Sequence, residues 1–175
     1  MAGKEYELNP VLRITTGAIG PAGKRVFYLQ ARGEAEVVTL LIEKAQVQSL
    51  AIGLEQYLQE LQQRLPALEE ASPAFDEAAM ALEDPLDPAF RVGQLGLGYD
   101  EDADRLVLVA RELQPEGADP EEAAAARFWC TRSQLRAMCR WGIELAGRGR
   151  PICGNCGEPI DPEGHFCPKR NGHKH

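Results

Sequence analysis

The feature that most constrains this chain is that it repeats itself. FRVGQLGLG (Phe90 to Gly98) resembles LRITTGAIG (Leu12 to Gly20), which sets Arg91 opposite Arg13 and Gly98 opposite Gly20. DRLVLVAR (Asp104 to Arg111) answers KRVFYLQAR (Lys24 to Arg32), and AARFWC (Ala125 to Cys130) answers VVTLLI (Val37 to Ile42). TRSQLRAM then answers EKAQVQSL, with Gln134 opposite Gln46. Two strand–strand–strand–helix units displaced by roughly 80 residues are expected, because each apolar run keeps the same period as its counterpart.

Local chemistry supports each element. Gly20-Pro21-Ala22-Gly23 has turn composition between two runs rich in β-branched and aromatic residues, the pattern of a hairpin. Val37 to Glu43 is almost continuously apolar, so it belongs inside a sheet. Val47, Leu50, Leu54, Leu58, Leu61 and Leu65 then recur at spacings of three and four, one face of a helix that Pro66 ends. Thr131 followed by Gln134 is a capping-box signature for the second helix, whose inner face holds Leu135, Met138, Cys139, Gly142, Ile143 and Ala146.

The resulting expectation is an α+β fold. Tandem duplicated βββα units form one pseudo-symmetric body, and a small zinc-ribbon-like tail follows. Residues 1–65 hold the first unit, 66–89 an acidic proline-rich linker with a helical turn around Phe75–Leu82, 90–147 the second unit, and 148–175 the tail. A helix covers only one face of its sheet, so the units must pair edge to edge or face to face to hide the rest.

Charge divides along the same lines. Of the 175 residues, 1–131 carry 11 Lys/Arg against 23 Asp/Glu, a net of −12, whereas 132–175 carry 8 against 4, a net of +4. An acidic body is a poor ligand for a phosphate backbone, which leaves nucleic-acid contact to the basic tail alone. At 44% hydrophobic and 26% charged, with no apolar run near the roughly 18 residues that cross a bilayer, the chain reads as soluble and cytoplasmic, with no membrane partner.

Two apparent motifs fail on their own chemistry. GAIGPAGK (Gly17 to Lys24) lacks a phosphate loop's required glycine at Ala18 and its hydroxyl at Arg25. YDEDADR (Tyr99 to Arg105) spaces its carboxylates like a calcium loop, but Arg105 and Arg111 stand where glycine and a bidentate acid are needed. Cys130 and Cys139 sit among Phe128, Trp129 and Trp141 as small core residues. All three histidines lie in the tail, at 165, 173 and 175, so Ser/His/Asp or Cys/His catalysis cannot be assembled within the repeats. Arg13 and Arg91 are the candidate anion ligands, and surface salt bridges are the competing reading of that pair.

The tail carries the strongest motif. Cys153-x2-Cys156 followed by Gly157 is the knuckle that lets two thiolates grip one ion, and Cys167 supplies a third sulfur. The fourth ligand is His165, His173 or His175. His165 and Cys167 alternate about Phe166 and so point to one side of an extended segment, which favours His165 with His173 as the alternative. Four prolines (151, 159, 162, 168) leave the segment no core of its own, so Zn2+ would supply its stability. A closed Cys3His set is a structural zinc type rather than a catalytic one.

Gly17 to Arg32, Glu43 to Val47, Phe90 to Leu97 and the terminal C-G-x-P-I-D-P-E-G-H-x-C-P-x-x-N-G (Cys156 to Gly172) together resemble an uncharacterised bacterial family described as a repeat protein or a protein of unknown function. The resemblance spans nearly the whole chain. It implies that Cys153, Cys156, His165 and Cys167 match the family's typical ligand set. It also implies a gene neighbourhood with a histidine-phosphatase-like and a phosphoinositide-kinase-like protein, and no assigned activity.

Three functions fit these residues. The leading one is a non-enzymatic binding or adaptor protein with an unidentified protein partner and a structural zinc. An enzyme or sensor acting on a phosphorylated or nucleotide-like small molecule would use Arg13 and Arg91. Nucleic-acid contact would use Arg148, Arg150, Lys169, Arg170 and Lys174.

Overall fold

The computed structural model describes residues 3–21 and 23–148. In chain order it has β1 (Glu5–Leu8), β2 (Arg13–Ile19), β3 (Val26–Arg32), β4 (Val37–Ile42), α1 (Lys44–Arg64), a 3-10 turn (Glu77–Met80), β5 (Pro88–Asp100), β6 (Arg105–Glu112), a second 3-10 turn (Pro120–Glu122), β7 (Ala125–Cys130) and α2 (Arg132–Arg148). The fold is α+β. Seven strands make one mixed sheet in the order β1-β7-β6-β5-β4-β3-β2, with β4 well inside it as its apolar run requires.

That order forces the sheet to curl. β1 and β2 are its two ends, yet only residues 9–12 join them. In a flat sheet six inter-strand spacings would hold them about 29 Å apart. Five residue steps reach at most about 18 Å. The joining segment instead touches both ends at once. Val11 donates its N–H to the Trp129 carbonyl of β7 at 2.9 Å, and Leu12 donates to the Arg32 carbonyl of β3 at 2.8 Å. The sheet therefore closes on itself like a barrel, with β1 and β2 as two halves of one bent strand.

β5 is bent in the same way. Its first residues pair in parallel with β4 (Thr39 with Pro88, Leu41 with Arg91), and the remainder pairs antiparallel with β6 after an irregularity between Val92 and Gln94. Correspondingly, β1 pairs in parallel with β7, and β2 pairs antiparallel with β3. The two three-strand runs thus meet edge to edge. β1 was not expected from the sequence. It lies within residues 1–65 but pairs with β7 of the 90–147 span, which interlocks the two halves.

Each helix is fastened to a bend by one glutamine. The Gln46 side-chain oxygen accepts from the Glu43 backbone at 2.8 Å, and its amide donates to the Val92 carbonyl at 3.1 Å. Gln134 repeats both contacts, accepting from the Thr131 backbone at 2.8 Å and donating to the Val11 carbonyl at 3.4 Å. A capping box normally satisfies orphan donors at the helix start. Here its remaining donors also fix where the shared strand changes partner.

The core is built from the expected runs: Leu29, Leu40, Leu54, Leu106, Leu108, Phe128 and Leu135 are all buried. Each such side chain stabilises the fold by about 1.5–3 kcal/mol. α1 and α2 pack directly against each other, and Gly142 makes this possible, since a Cβ there would lie 2.6 Å from Val47 Cγ1.

The acidic segment between α1 and β5 is laid down rather than looped out. Thr15 Oγ1 donates to the Met80 carbonyl at 2.7 Å, and the Gln30 amide donates to the Glu83 carbonyl at 3.0 Å. Glu83 in turn accepts from Arg32 at 2.8 Å. That guanidinium holds the Glu83 carboxyl below the ordinary glutamate range.

The seven described strands and two described helices form a connected core within residues 5–148. A chain ending at Arg148 should therefore unfold in one cooperative thermal transition followed by circular dichroism. A featureless, non-cooperative melt would make residues 149–175 part of the core.

Candidate functional site

Ladder register fixes which residues of the two halves correspond. Val37 and Ala125 lie opposite Arg32 and Arg111, and these lie opposite Arg13 and Gln94. Arg13 therefore corresponds to Gln94, and not to Arg91 as the sequence alignment had it. Two residues of this three-residue difference come from the hairpin turns, six residues at 20–25 against four at 101–104. β3 and β4 also lie between the strands that carry Arg13 and Arg91.

Both guanidiniums have partners. Arg13 donates to the Ala79 carbonyl at 2.7 Å and to the Ala81 carbonyl, and it stands 3.5 Å from Glu83. Arg91 is paired with Glu43 at 2.9 Å. These are the salt bridges of the competing reading. The calcium-like turn is likewise structural: Asp104 accepts from Tyr99 at 2.7 Å and from Arg132 at 2.8 Å. Burial, with Asp104 beside it, pushes the Tyr99 hydroxyl up to about 12. Cys130 and Cys139 are buried, and burial pushes each thiol up to about 12, so neither is a nucleophile at neutral pH.

The zinc candidates Cys153, Cys156, His165, Cys167 and His173 lie outside the described residues. Among the described residues no cluster of three or more His, Cys, Asp or Glu could hold a metal ion. None of the described helices is long and apolar enough to cross a membrane.

What the two halves do not share is the slot between helix and bent strand. Beside β2 it is filled by Trp141 of α2. The indole N–H donates to the Thr16 carbonyl at 2.9 Å, the Phe75 ring lies 5.7 Å away, and the Arg148 guanidinium covers the indole at 5.1 Å. Counting from Gln46 and Gln134, the residue of α1 in the place of Trp141 is Gly53.

Beside β5 the slot is accordingly open. A groove of about 470 Å3 runs between α1 and β5, lined by Leu50, Gly53, Tyr57, Leu95, Gly96 and Leu97. A Cβ added at Gly53 or Gly96 would meet nothing within 4 Å, and neither residue has a positive φ. These glycines are thus required neither by backbone conformation nor by the described packing. Glycine in a helix interior still costs about 1 kcal/mol relative to alanine. Beyond Arg91, the edge of β5 facing this groove has no strand partner among the described residues.

The groove was missed in the sequence because its signal is an absence. Gly53 falls where Trp141 does when the helices are aligned on their glutamines, and that substitution was there to be read.

A second depression, of about 530 Å3, is lined by Glu55, Glu70, Arg132 and Arg136. Its charges are mutually engaged: Arg136 meets Glu55 at 3.1 Å and Arg132 meets Asp104 at 2.8 Å.

Trp141 is the reference for what a filled slot is worth. Trp141→Ala should lower the unfolding free energy by about 3–5 kcal/mol in denaturant titration. A loss below about 1 kcal/mol would mean that the slot contributes little.

A family model described as a protein of unknown function (DUF3090) matches residues 6–167. No curated protein and no solved structure matches the chain.

Proposed function

The chain belongs to that family of unknown function, and from this premise we propose that it is a non-enzymatic binding protein whose docking surface is the groove between α1 and β5. The observation that supports this is the pair of open-space glycines, Gly53 and Gly96, on facing walls of an apolar groove beside a strand edge that has no partner among the described residues. Glycine inside a strand commonly marks close approach of another backbone. An exposed strand edge accepts an extended segment by main-chain hydrogen bonds, while side-chain pockets supply selectivity.

The body is read as a tandem duplication in which one slot is filled and the other kept open for binding. The tail is read as a structural zinc knuckle with Cys153, Cys156, Cys167 and His165 as ligands, or His173 in place of His165. Those ligand types suit zinc, which would fold a segment otherwise short of apolar residues. An enzyme acting on phosphorylated molecules is less favoured, since Arg13 and Arg91 are engaged in ion pairs on separate strands.

Two measurements test this reading. Proteins co-purifying with the native chain should be lost with Leu97→Glu, whose charge would stand in the groove, while the circular dichroism spectrum stays unchanged. An identical set of co-purifying proteins with both chains would remove the groove as the docking surface. Metal analysis of untagged protein should find one zinc per chain, lost in Cys167→Ser and in His165→Ala. Loss in His173→Ala with retention in His165→Ala would move the fourth ligand, and full zinc in Cys167→Ser would overturn the site.

A further inference from the structure

We infer that the outer face of β5, β6 and β7 is a binding site for an extended acidic segment of another protein, with Arg111 receiving the carboxylate of a glutamate that follows an apolar residue. This goes beyond the groove and does not depend on it.

The first half shows such a segment in place. After the turn Glu77–Met80 the chain continues in extended conformation at Ala81 and crosses the outer face of β2 and β3. Leu82 sits on Gly17, where an added Cβ would lie 2.4 Å from Leu82 Cδ1. Glu83 follows, and Arg32 donates to its two carboxylate oxygens from Nε at 2.8 Å and from Nη2 at 2.9 Å. Arg13 stands 3.5 Å from the same carboxylate. The Gln30 side chain holds the main chain, accepting from the Glu83 N–H at 2.8 Å. A guanidinium fork on a carboxylate is both strong and selective in geometry. Under this cover Thr15, Gln30 and Thr39 are buried although polar.

Ladder register carries these positions into the second half. Arg32 corresponds to Arg111, and Gly17 to Gly98. The two features that receive the side chains of Leu82 and Glu83 are thus both present again. Their occupant is not, among the described residues. Thr15, Gln30 and Thr39 correspond to Gly96, Val109 and Arg127, and none of these three is buried. Arg111 is exposed and makes no side-chain hydrogen bond or ion pair with any described residue. Its neighbours across the sheet are Gln94 and Ala125, which bring no charge. The acids of β1 are turned elsewhere: Glu5 lies 3.9 Å from Arg127, and Glu7 accepts from the Trp129 indole at 3.3 Å.

The differences between the halves define the ligand further. Val109 in place of Gln30 exchanges a polar clamp on the main chain for apolar contact. Val107 borders the glycine seat, its Cγ1 lying 2.9 Å from where a Gly98 Cβ would be. An apolar side chain placed there leaves water, which supplies attraction without direction. Arg111 supplies the direction, because its charge favours an acid beside that side chain and rejects a base.

The test is a titration of the purified full-length chain into a fluorescein-labelled peptide with the sequence of residues 76–85, followed by anisotropy. Binding should saturate below millimolar protein. Arg111→Glu should weaken it about ten-fold or more, and the Glu83→Gln peptide should lose as much with the unaltered chain. Arg64→Glu, the same charge change at an exposed position of α1, should leave it unchanged. The Glu83→Lys peptide should bind the Arg111→Glu chain better than the unaltered one. Absence of saturation, equal binding by the Arg111→Glu and unaltered chains, or equal binding of the Glu83→Gln and unaltered peptides would each overturn the inference. Weakening by Arg32→Gln but not by Arg111→Glu would seat the peptide on the first half and overturn it as well.

Discussion

Closure is the constraint from which the rest follows. Four residues must join strands at opposite ends of a seven-stranded sheet, so the sheet has to bring its ends together. It does so with two bent strands, β1–β2 and β5, each pairing in parallel over its first part and antiparallel over its second. Gln46 and Gln134 hold the bends, at the Val92 and Val11 carbonyls. The same side chains cap α1 and α2, so the starting point of each helix and the turning point of each strand are fixed together. Neither helix can move along the barrel without breaking the contact that shapes it.

A bent strand pays for its change of partner with an open edge, and unpaired edges invite association. At β2 the edge is met by the stretch ending at Glu83 and by Trp141. At β5 the corresponding helix position is Gly53, and a groove takes the place of the indole. The difference between the halves is thus one side chain deep. The proposed role in recognition is supported by the groove's apolar walls, its room for main chain and an edge without a strand partner among the described residues.

Much of this was legible in the residues. α1 followed from its leucine spacing and Pro66, α2 from the Thr131–Gln134 pair, and the turn at Glu77–Met80 from the composition around Phe75–Leu82. The burial of Cys130 and Cys139 was also expected and is observed. β1 was not legible, since Glu-Tyr-Glu-Leu carries too little apolar pattern and becomes a strand only beside β7. The strand alignment slipped because motif similarity cannot see that the turn at 20–25 is two residues longer than the one at 101–104. The slot was hidden for a third reason: a missing side chain has no periodicity. Cys153, Cys156 and Cys167, proposed as zinc ligands, lie outside the described residues.

Amide hydrogen exchange on the intact chain tests the difference between the filled and the open slot most directly. β2 between Arg13 and Ala18 has a covered outer edge, so its outward amides should exchange slowly. The outward edge of β5 beyond Arg91 has no strand partner among the described residues, so its amides between Gln94 and Tyr99 should exchange faster than those of β2, and Gly53→Trp should slow them while leaving β2 unaltered. Exchange at β5 as slow as at β2 in the unaltered chain would contradict it.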